Sequence, residues 1–326
     1  MEITVGTFNL NNLFSRYNFR AEVNIVRDGD IDLDADVSIT FAEPVSYFLR
    51  QYQGRLVTKK PAGERKTIAV RIRAMNADVL AVQEVEDIGI LREFAYNDLA
   101  GMYPYQVLVE GNDPRLIDLG VLSRYPIGAV TSWQNAVHPL AQHERVFSRD
   151  LLEVEILDVR RRRRLFTVFN NHLKSQYVRW DADAEEGRRA ADARRRRQAE
   201  VIAEIVAART RPDSRYIVLG DMNDGPESTT LEPLITSPQL GLVNALGTPT
   251  ETRHAKLEQP PSKPPRSTAW THRFKERGKP AVHELFDQIW VSPRLAGRLT
   301  GAWIDRRVRH GGDGSDHDPA WIRLDL

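Results

Sequence analysis

The chain has 326 residues, 41% hydrophobic and 28% charged, a balance that excludes disordered and collagen-like polypeptides. Its 46 Lys+Arg against 45 Asp+Glu leave a net charge of +1, so no global basic field announces a nucleic-acid binder, and any attraction to polyanions has to come from local clusters. With no cysteine, disulfides, thiolate metal sites and cysteine nucleophiles are excluded.

No apolar run approaches the ~20 residues needed to cross a bilayer. The opening MEITVGTFNL has neither a basic leader nor an apolar stretch, so the expectation is a cytoplasmic protein with no membrane partner. No composition break divides the chain. A single catalytic domain over 1–326 is expected, with an insertion at 15–66 and a Pro-rich loop at 247–266.

In chain order, EITVGTF (2–8) alternates apolar and polar residues, the period of a strand with one buried face. The insertion follows, with its acidic run DGDIDLDAD. TIAVRIRAMN (67–76) predicts a helix, VLAVQEV (79–85) a strand buried on both sides, and ILREFAYNDLA (90–100) a helix stopped by Gly101. LGVLS (119–123) predicts a buried strand and LLEVEIL (151–157) a half-buried one. LFTVFNN (165–171), YIVLG (216–220) and FDQIWVS (286–292) again predict buried strands. Arg160 to Arg164 lie between two of these runs and are expected at a hairpin turn. The longest helix is expected over 182–209, with Ala190, Ala193, Ala199, Val201, Ile202, Ile205 and Val206 on its apolar stripe. GAWIDRRV and PAWIRLDL close the chain as strands. Alternating strands and helices place the chain in the α/β class.

The informative pattern lies at the strand ends. Asn9 ends the first strand, Glu84 the second and His172 the run LFTVFNNH. Asp221 and Asn223 end YIVLGDMND, Asp287 opens FDQIWVS, and Asp316 and His317 precede the last strand. Each alone fits a turn former or a surface carboxylate. Together they bring hard oxygen donors, amides and imidazoles to the ends of several strands, where a sheet fixes side-chain geometry. Without Cys or an HExxH motif, the donor set suits Mg²⁺ or Mn²⁺ better than zinc.

The ordered series TFNLNNLF, VQEVED, NNHLKSQ, LGDMND, FDQIWVS and GSDHDPAW, spanning residues 3–325, resembles the endonuclease/exonuclease/phosphatase superfamily. The interval from Asn9 to Glu84 is longer than that family's, and the excess falls in the 15–66 insertion. The resemblance implies a four-layer α/β sandwich of two packed mixed sheets flanked by helices, and phosphoester hydrolysis with a divalent metal, usually Mg²⁺. It implies Glu84 as the main metal ligand, with Asn9 and Asp316 completing the shell directly or through water. Asp221 would position or deprotonate the attacking water, and Asn223 would hold the same water or a phosphate oxygen. His172 would donate to a non-bridging oxygen. Asp287 and His317 would pair, the carboxylate raising the imidazole pKa, with His317 acting as base or phosphate clamp. Arg149, Lys174 and Asn170 are expected on the substrate side, and Asp318 as a structural residue bound to backbone N–H groups. Thr271 and Arg273 resemble a family segment without a role. His138, His143, His254, His272, His283 and His310 match no motif and are expected to be structural.

Substrate choice does not follow from fold. Arginine runs that could touch a phosphate backbone, and the resemblance of NNHLKS and GDMND to bacterial nucleases, favour DNA or RNA. The near-zero charge and the acidic insertion favour the alternative, a small-molecule phosphodiesterase or phosphomonoesterase acting on nucleotides or inositol phosphates. A catalytically dead binding module is disfavoured because no core position is substituted. No obligate protein partner is implied.

Overall fold

The apolar strand runs pair into two sheets that bury one another. A computed structural model describes residues 1–15, 60–178, 183–253, 269–274, 282–306 and 314–326. Its first half contains β1 (Glu2–Leu13), α1 (Ala62–Met75), β2 (Val79–Val85), α2 (Ile88–Glu93), β3 (Tyr105–Val109), β4 (Asp118–Ser123), β5 (Ile127–Ser132), β6 (Val137–His138), β7 (Ala141–Arg145), β8 (Leu151–Leu157) and β9 (Arg164–His172). The second half adds α3 (Ala184–Arg209), β10 (Tyr216–Asp221), α4 (Glu232–Ile235), β11 (Val243–Asn244), β12 (Thr250–Arg253), β13 (His272–Phe274), β14 (Val282–Glu284), β15 (Asp287–Val291), α5 (Pro293–Ala296), β16 (Leu299–Arg306) and β17 (Ala320–Asp325).

One sheet runs β12-β16-β17-β1-β2-β4-β3 and the other β11-β15-β10-β9-β8-β5. Ile3, Val5, Val79 and Val121 of the first meet Val154, Val168, Ile217 and Ile289 of the second in one core. On the outer face of the first sheet, Ile68 and Ile72 of α1 pack on Leu80, Val82 and Leu122. On the outer face of the second, Ile202 and Val206 of α3 pack on Phe169, Val218 and Trp290. Each such side chain contributes ~1.5–3 kcal/mol on burial. The result is the four-layer α/β sandwich expected from the resemblance. No helix among the described residues is long and apolar enough to cross a membrane.

Several boundaries move for physical reasons. α1 starts at Ala62, because Pro61 takes the N-cap position, where its missing N–H costs nothing. The helix after Glu84 is α2 followed by a π-helical turn, Phe94–Asp98. β8 is buried on both faces, not one. Glu153 accounts for this, since Arg209 Nε (3.1 Å) and Trp133 Nε1 (3.1 Å) satisfy its carboxylate. In α3, Ala190 and Ala193 are exposed, whereas Ala191, Arg195 and Gln198 are buried. The expected insertion and Pro-rich loop fall largely on residues 16–59 and 254–268, outside the described residues, as do His254 and His310.

Strand direction decides where the site lies. β1 and β2 are parallel, with Asn9 beside Gln83, and β17 runs back along β1 with Ala320 opposite Thr7. β9 and β10 are parallel with His172 beside Asp221, and antiparallel β15 sets Asp287 opposite Asp221. All the strand-end residues therefore reach one pole. The Arg160–Arg164 turn joins β8 to β9 as expected. It lies at the other end of β9, roughly 26 Å from His172 at a strand rise of ~3.3 Å per residue.

A buried polar seam ties the sheets together. Gln83 Nε2 donates to Asn170 Oδ1 at 2.7 Å and to Thr7 Oγ1 at 3.1 Å, and Asn170 Nδ2 donates to the carbonyls of Val82 (3.1 Å) and Gly120 (3.0 Å). Asn170 is 0% exposed, so it braces the sheets and does not reach substrate, contrary to expectation. Asn170→Ala is expected to lower stability by about 2–4 kcal/mol, since several buried groups lose their partner. Urea unfolding reads this as a lower midpoint, and an unchanged midpoint would refute the bracing role.

Asp150, at the mouth of β8, is buried and accepts from Trp133 N at 2.8 Å. Burial pushes its carboxyl up to about 7. The folded chain therefore keeps a proton that the unfolded chain releases near ~3.9. Its stabilising effect is complete below that value and fades as pH rises to about 7. Urea titrations across this range are expected to show a flatter pH profile for Asp150→Asn than for the wild type; identical profiles would contradict the assignment.

Candidate active site

The site is built from two rows of strand ends facing each other. On the first sheet, β2 carries a bulge between Val82 and Val85, and Glu84 within it takes a left-handed backbone with φ 60°. Such a conformation costs a non-glycine residue ~1–3 kcal/mol and turns its side chain out of the pleat. Glu84 Oε2 accepts from Asn12 N at 3.1 Å, and Oε1 lies 3.4 Å from Asn9 Nδ2. Asn9, 1% exposed, also donates through Nδ2 to Asp221 Oδ2 at 3.0 Å, while its Oδ1 accepts from Asn11 N at 2.9 Å. Asn9 thus turns a donor, not an oxygen, toward the carboxylates. In this orientation the amide holds the two carboxylates in place beside the expected metal position.

On the second sheet, the motif GDMND is shaped by Gly220. A Cβ there would sit 2.1 Å from Asn171 O, and φ is +127°, so only glycine lets β10 lie this close to β9. Asp221 follows at 1% exposure, its Oδ1 accepting from Asn223 N at 2.9 Å. Asn223, with φ 53°, donates through Nδ2 to Leu173 O at 3.1 Å. Asp221 Oδ2 lies 3.4 Å from His172 Nε2 and 3.8 Å from His317 Nε2. Burial raises the Asp221 pKa, and the His317 charge opposes that rise. His172 moves the other way. Burial, then the Arg149 and His317 charges, hold its pKa well below the usual imidazole range, so it is neutral.

The last loop completes the site. Ser315 Oγ donates to Asn9 O at 2.7 Å, and His317 N donates to Ser315 Oγ at 3.0 Å. His317 Nδ1 and Asp287 Oδ2 are 2.7 Å apart, the expected pair. Burial alone would lower the His317 pKa, but Asp287 and then Asp221 raise it well above normal. Asp316 is half exposed, with one oxygen 3.9 Å from His317 Nε2. Asp318 points away to Arg71 Nη2 at 2.8 Å. Its structural role there is an ion pair with a buried guanidinium on α1.

The cationic residues divide. Arg149, 3% exposed, donates to Leu173 O at 3.1 Å and lies 3.2 Å from Asp113 through Nε. Its charge acts on Glu84 and His172, which places it against the site. Lys174 Nζ turns back to Ser175 O at 2.9 Å, and burial followed by the Arg149 charge lowers its pKa to about 8. Sequence reasoning missed Lys60 and the supports from α3. Lys60 Nζ donates to Asn11 O at 2.5 Å and feels the charges of Glu64, Glu84 and Asp316. Gln198 Oε1 accepts from Lys174 N at 2.9 Å, and Arg195 pairs with Asp224 at 3.1 Å. These residues lie on a helix whose charge pattern reads as a solvated face, so no local signal marked them.

The donor set fits a hard divalent cation. Burial and then the charge of Asp316 push the Glu84 pKa up; two acidic groups this close gain from a cation between them. Glu84 and Asp316 would hold it. In metal-free protein, Asp287→Asn is expected to move the His317 titration midpoint down by about one unit or more, because the imidazolium loses its buried counter-charge. NMR of the imidazole CH signals reads the shift, and an unmoved midpoint would exclude the pair as its cause.

No curated protein matches the chain in sequence. Solved structures do match its fold. The AP endonuclease of Archaeoglobus fulgidus aligns with a TM-score of 0.57 at 15% identity, covering 99% of this chain and 100% of that one. Sphingomyelinase C of Streptomyces griseocarneus aligns at 0.57 with 16% identity and full coverage of both (100% each). A mannosyl-6-phosphatase of Bacteroides thetaiotaomicron aligns at 0.56 with 13% identity, covering 99% and 100%. The sequence profile of the Endonuclease/Exonuclease/phosphatase family matches residues 6–317. With that match over nearly its whole length, and with its strand ends gathered at one pole, the chain belongs to the Endonuclease/Exonuclease/phosphatase family of phosphoester hydrolases.

Proposed function

We propose that the chain is a Mg²⁺-dependent phosphodiesterase whose substrate is a nucleic acid. The observation that carries the hydrolytic part is the convergence on Asp221. One carboxylate oxygen lies within 3.0–3.8 Å of Asn9 Nδ2, His172 Nε2 and His317 Nε2. A carboxylate raised in pKa by burial is a stronger base than one in water, suited to orienting a water and taking its proton. Asn223 fixes the other edge of Asp221 through its backbone N–H. His317, cationic through Asp287, donates toward the phosphate and offsets charge that builds in the transition state. His172, neutral, adds a donor without adding charge. When bound at Glu84 and Asp316, the divalent ion would supply Lewis-acid stabilisation of the phosphoryl oxygens.

The nucleic-acid part rests on the cationic flank of Arg149, Lys174 and the exposed Arg115, all within the electrostatic reach of the site. A second reading, a small phosphoester substrate, is favoured by the Arg160–Arg164 turn. At roughly 26 Å from His172 along β9, it does not contact the phosphate being cleaved. Most of the expected 15–66 insertion falls on residues 16–59, outside the described residues. Its flanks join beside the site, with Lys60 N donating to Phe14 O at 3.0 Å.

Plasmid DNA with Mg²⁺ is expected to be cleaved, and EDTA to abolish cleavage. Bis-p-nitrophenyl phosphate is expected to be hydrolysed faster than p-nitrophenyl phosphate; the reverse order would overturn the diester assignment. Asp221→Asn and Glu84→Gln are each expected to lower kcat about a thousandfold, with an unchanged circular dichroism spectrum. Near wild-type turnover in either variant would sink the site assignment.

A further inference from the structure

We propose that His272, Asp316 and His317 form a second cation site, selective for a borderline transition ion, at the mouth of the cleft. His272 matches no motif in the sequence. In the fold it meets the last loop through an isolated β-bridge with His317, and Asp318 N donates to Thr271 O at 2.7 Å. This backbone pairing sets the two imidazoles side by side, ring centroids 4.9 Å apart and planes at 45°. Asp316 lies between them, with Oδ2 3.9 Å from His272 Nε2 and Oδ1 3.9 Å from His317 Nε2. One ligand atom from each of the three residues lies within 4.8 Å of the others.

Both rings are held in place. His272 stacks on Phe286 at 4.7 Å and 13°. His317 Nδ1 is engaged by Asp287 at 2.7 Å, and Asp287 N in turn donates to Thr271 Oγ1 at 2.9 Å. A carboxylate on one imidazole nitrogen, with the other nitrogen turned to a cluster of donors, is the arrangement that orients metal-binding histidines. Two bonds of ~2.1 Å span at most ~4.2 Å, and the three ligand atoms lie within 4.8 Å of one another, so binding needs at most a small closing movement. Asp316, 52% exposed, is the side chain with room to move.

The donor set decides the ion. Two imidazoles and one carboxylate suit Mn²⁺, Fe²⁺, Co²⁺, Ni²⁺ or Zn²⁺ with positions left for water. Mg²⁺ prefers oxygen alone, which the Glu84 side supplies. A transition ion bound here would replace the proton on His317 Nε2, released to solvent on binding, and would occupy the atom assigned to the phosphate under the proposed function. On that reading, and only for this consequence, such ions inhibit the Mg²⁺-supported reaction.

The test uses the full chain stripped of metal and titrated with Co²⁺, whose visible absorption reports nitrogen ligation. The wild type is expected to develop these bands, and His272→Ala to bind Co²⁺ at least about tenfold more weakly. His272→Gln serves if the alanine variant does not fold. Glu84→Gln is expected to keep the bands while losing Mg²⁺-supported activity. With the diester substrate, His272→Ala is expected to retain Mg²⁺-supported turnover and to lose inhibition by Ni²⁺ or Zn²⁺. Bands and affinity unchanged in both His272 variants would overturn the site, as would a wild type without bands. Bands that depend on His272 in a chain that hydrolyses nothing would leave the site standing and remove the functional reading instead.

Discussion

The hydrogen bond from Asn9 Nδ2 to Asp221 Oδ2, 3.0 Å long, joins the two sheets at the place where chemistry is expected. Asn9 ends a strand of the first sheet and Asp221 a strand of the second. Their contact requires the sheets to pack face to face in one register, with parallel neighbours pointing the same way. Behind it, Gln83 and Asn170 repeat the cross-sheet bond inside the core. The polar seam costs desolvation and returns specificity. An apolar core tolerates sliding, but a buried amide with several assigned partners does not.

That register forces like charges together. Glu84, Asp221, Asp287 and Asp316 gather within a few side-chain lengths of one another, with Asp221 and Asp287 buried. The fold answers with Lys60, Arg149 and the His317 imidazolium, and still holds Glu84 and Asp221 above ordinary carboxylate pKa values. This residual tension is what a divalent cation relieves, and what makes Asp221 a stronger base than a solvated carboxylate. The two histidines illustrate the same field. Both are buried; burial, reinforced by Arg149, drives His172 neutral, whereas Asp287 overrides burial and holds His317 cationic. Position relative to one arginine or one aspartate decides the difference.

Much of this was legible in the chain itself. The buried strands 79–85, 165–171 and 216–220 carry continuous apolar runs, and their ends carry Glu84, His172 and Asp221. The period-2 reading of 151–157 misjudged the face of Glu153, because an ion pair with Arg209, distant in sequence, lets a charged residue be buried. Asn170 illustrates the same limit from the other side. A strand-end amide next to His172 reads as a substrate contact, and only the opposing sheet shows that it faces inward. Lys60, Arg195 and Gln198 were invisible for a third reason: their partners are loop carbonyls and side chains brought near by folding.

The sequence by itself determined the class of fold, the strand ends that carry chemistry and the hard-donor character of the set, because these follow from local periodicity and residue type. Tertiary structure decided which face each residue occupies, which amide atom of Asn9 faces the carboxylates and which nitrogen of His317 meets which oxygen. It also placed the arginine turn at the far pole and brought His272, unmarked in the chain, beside Asp316 and His317. The physical reason is that hydrogen-bond geometry and Coulomb energy depend on separations of a few ångströms between residues tens to hundreds of positions apart. Pattern along a chain carries no information on that scale.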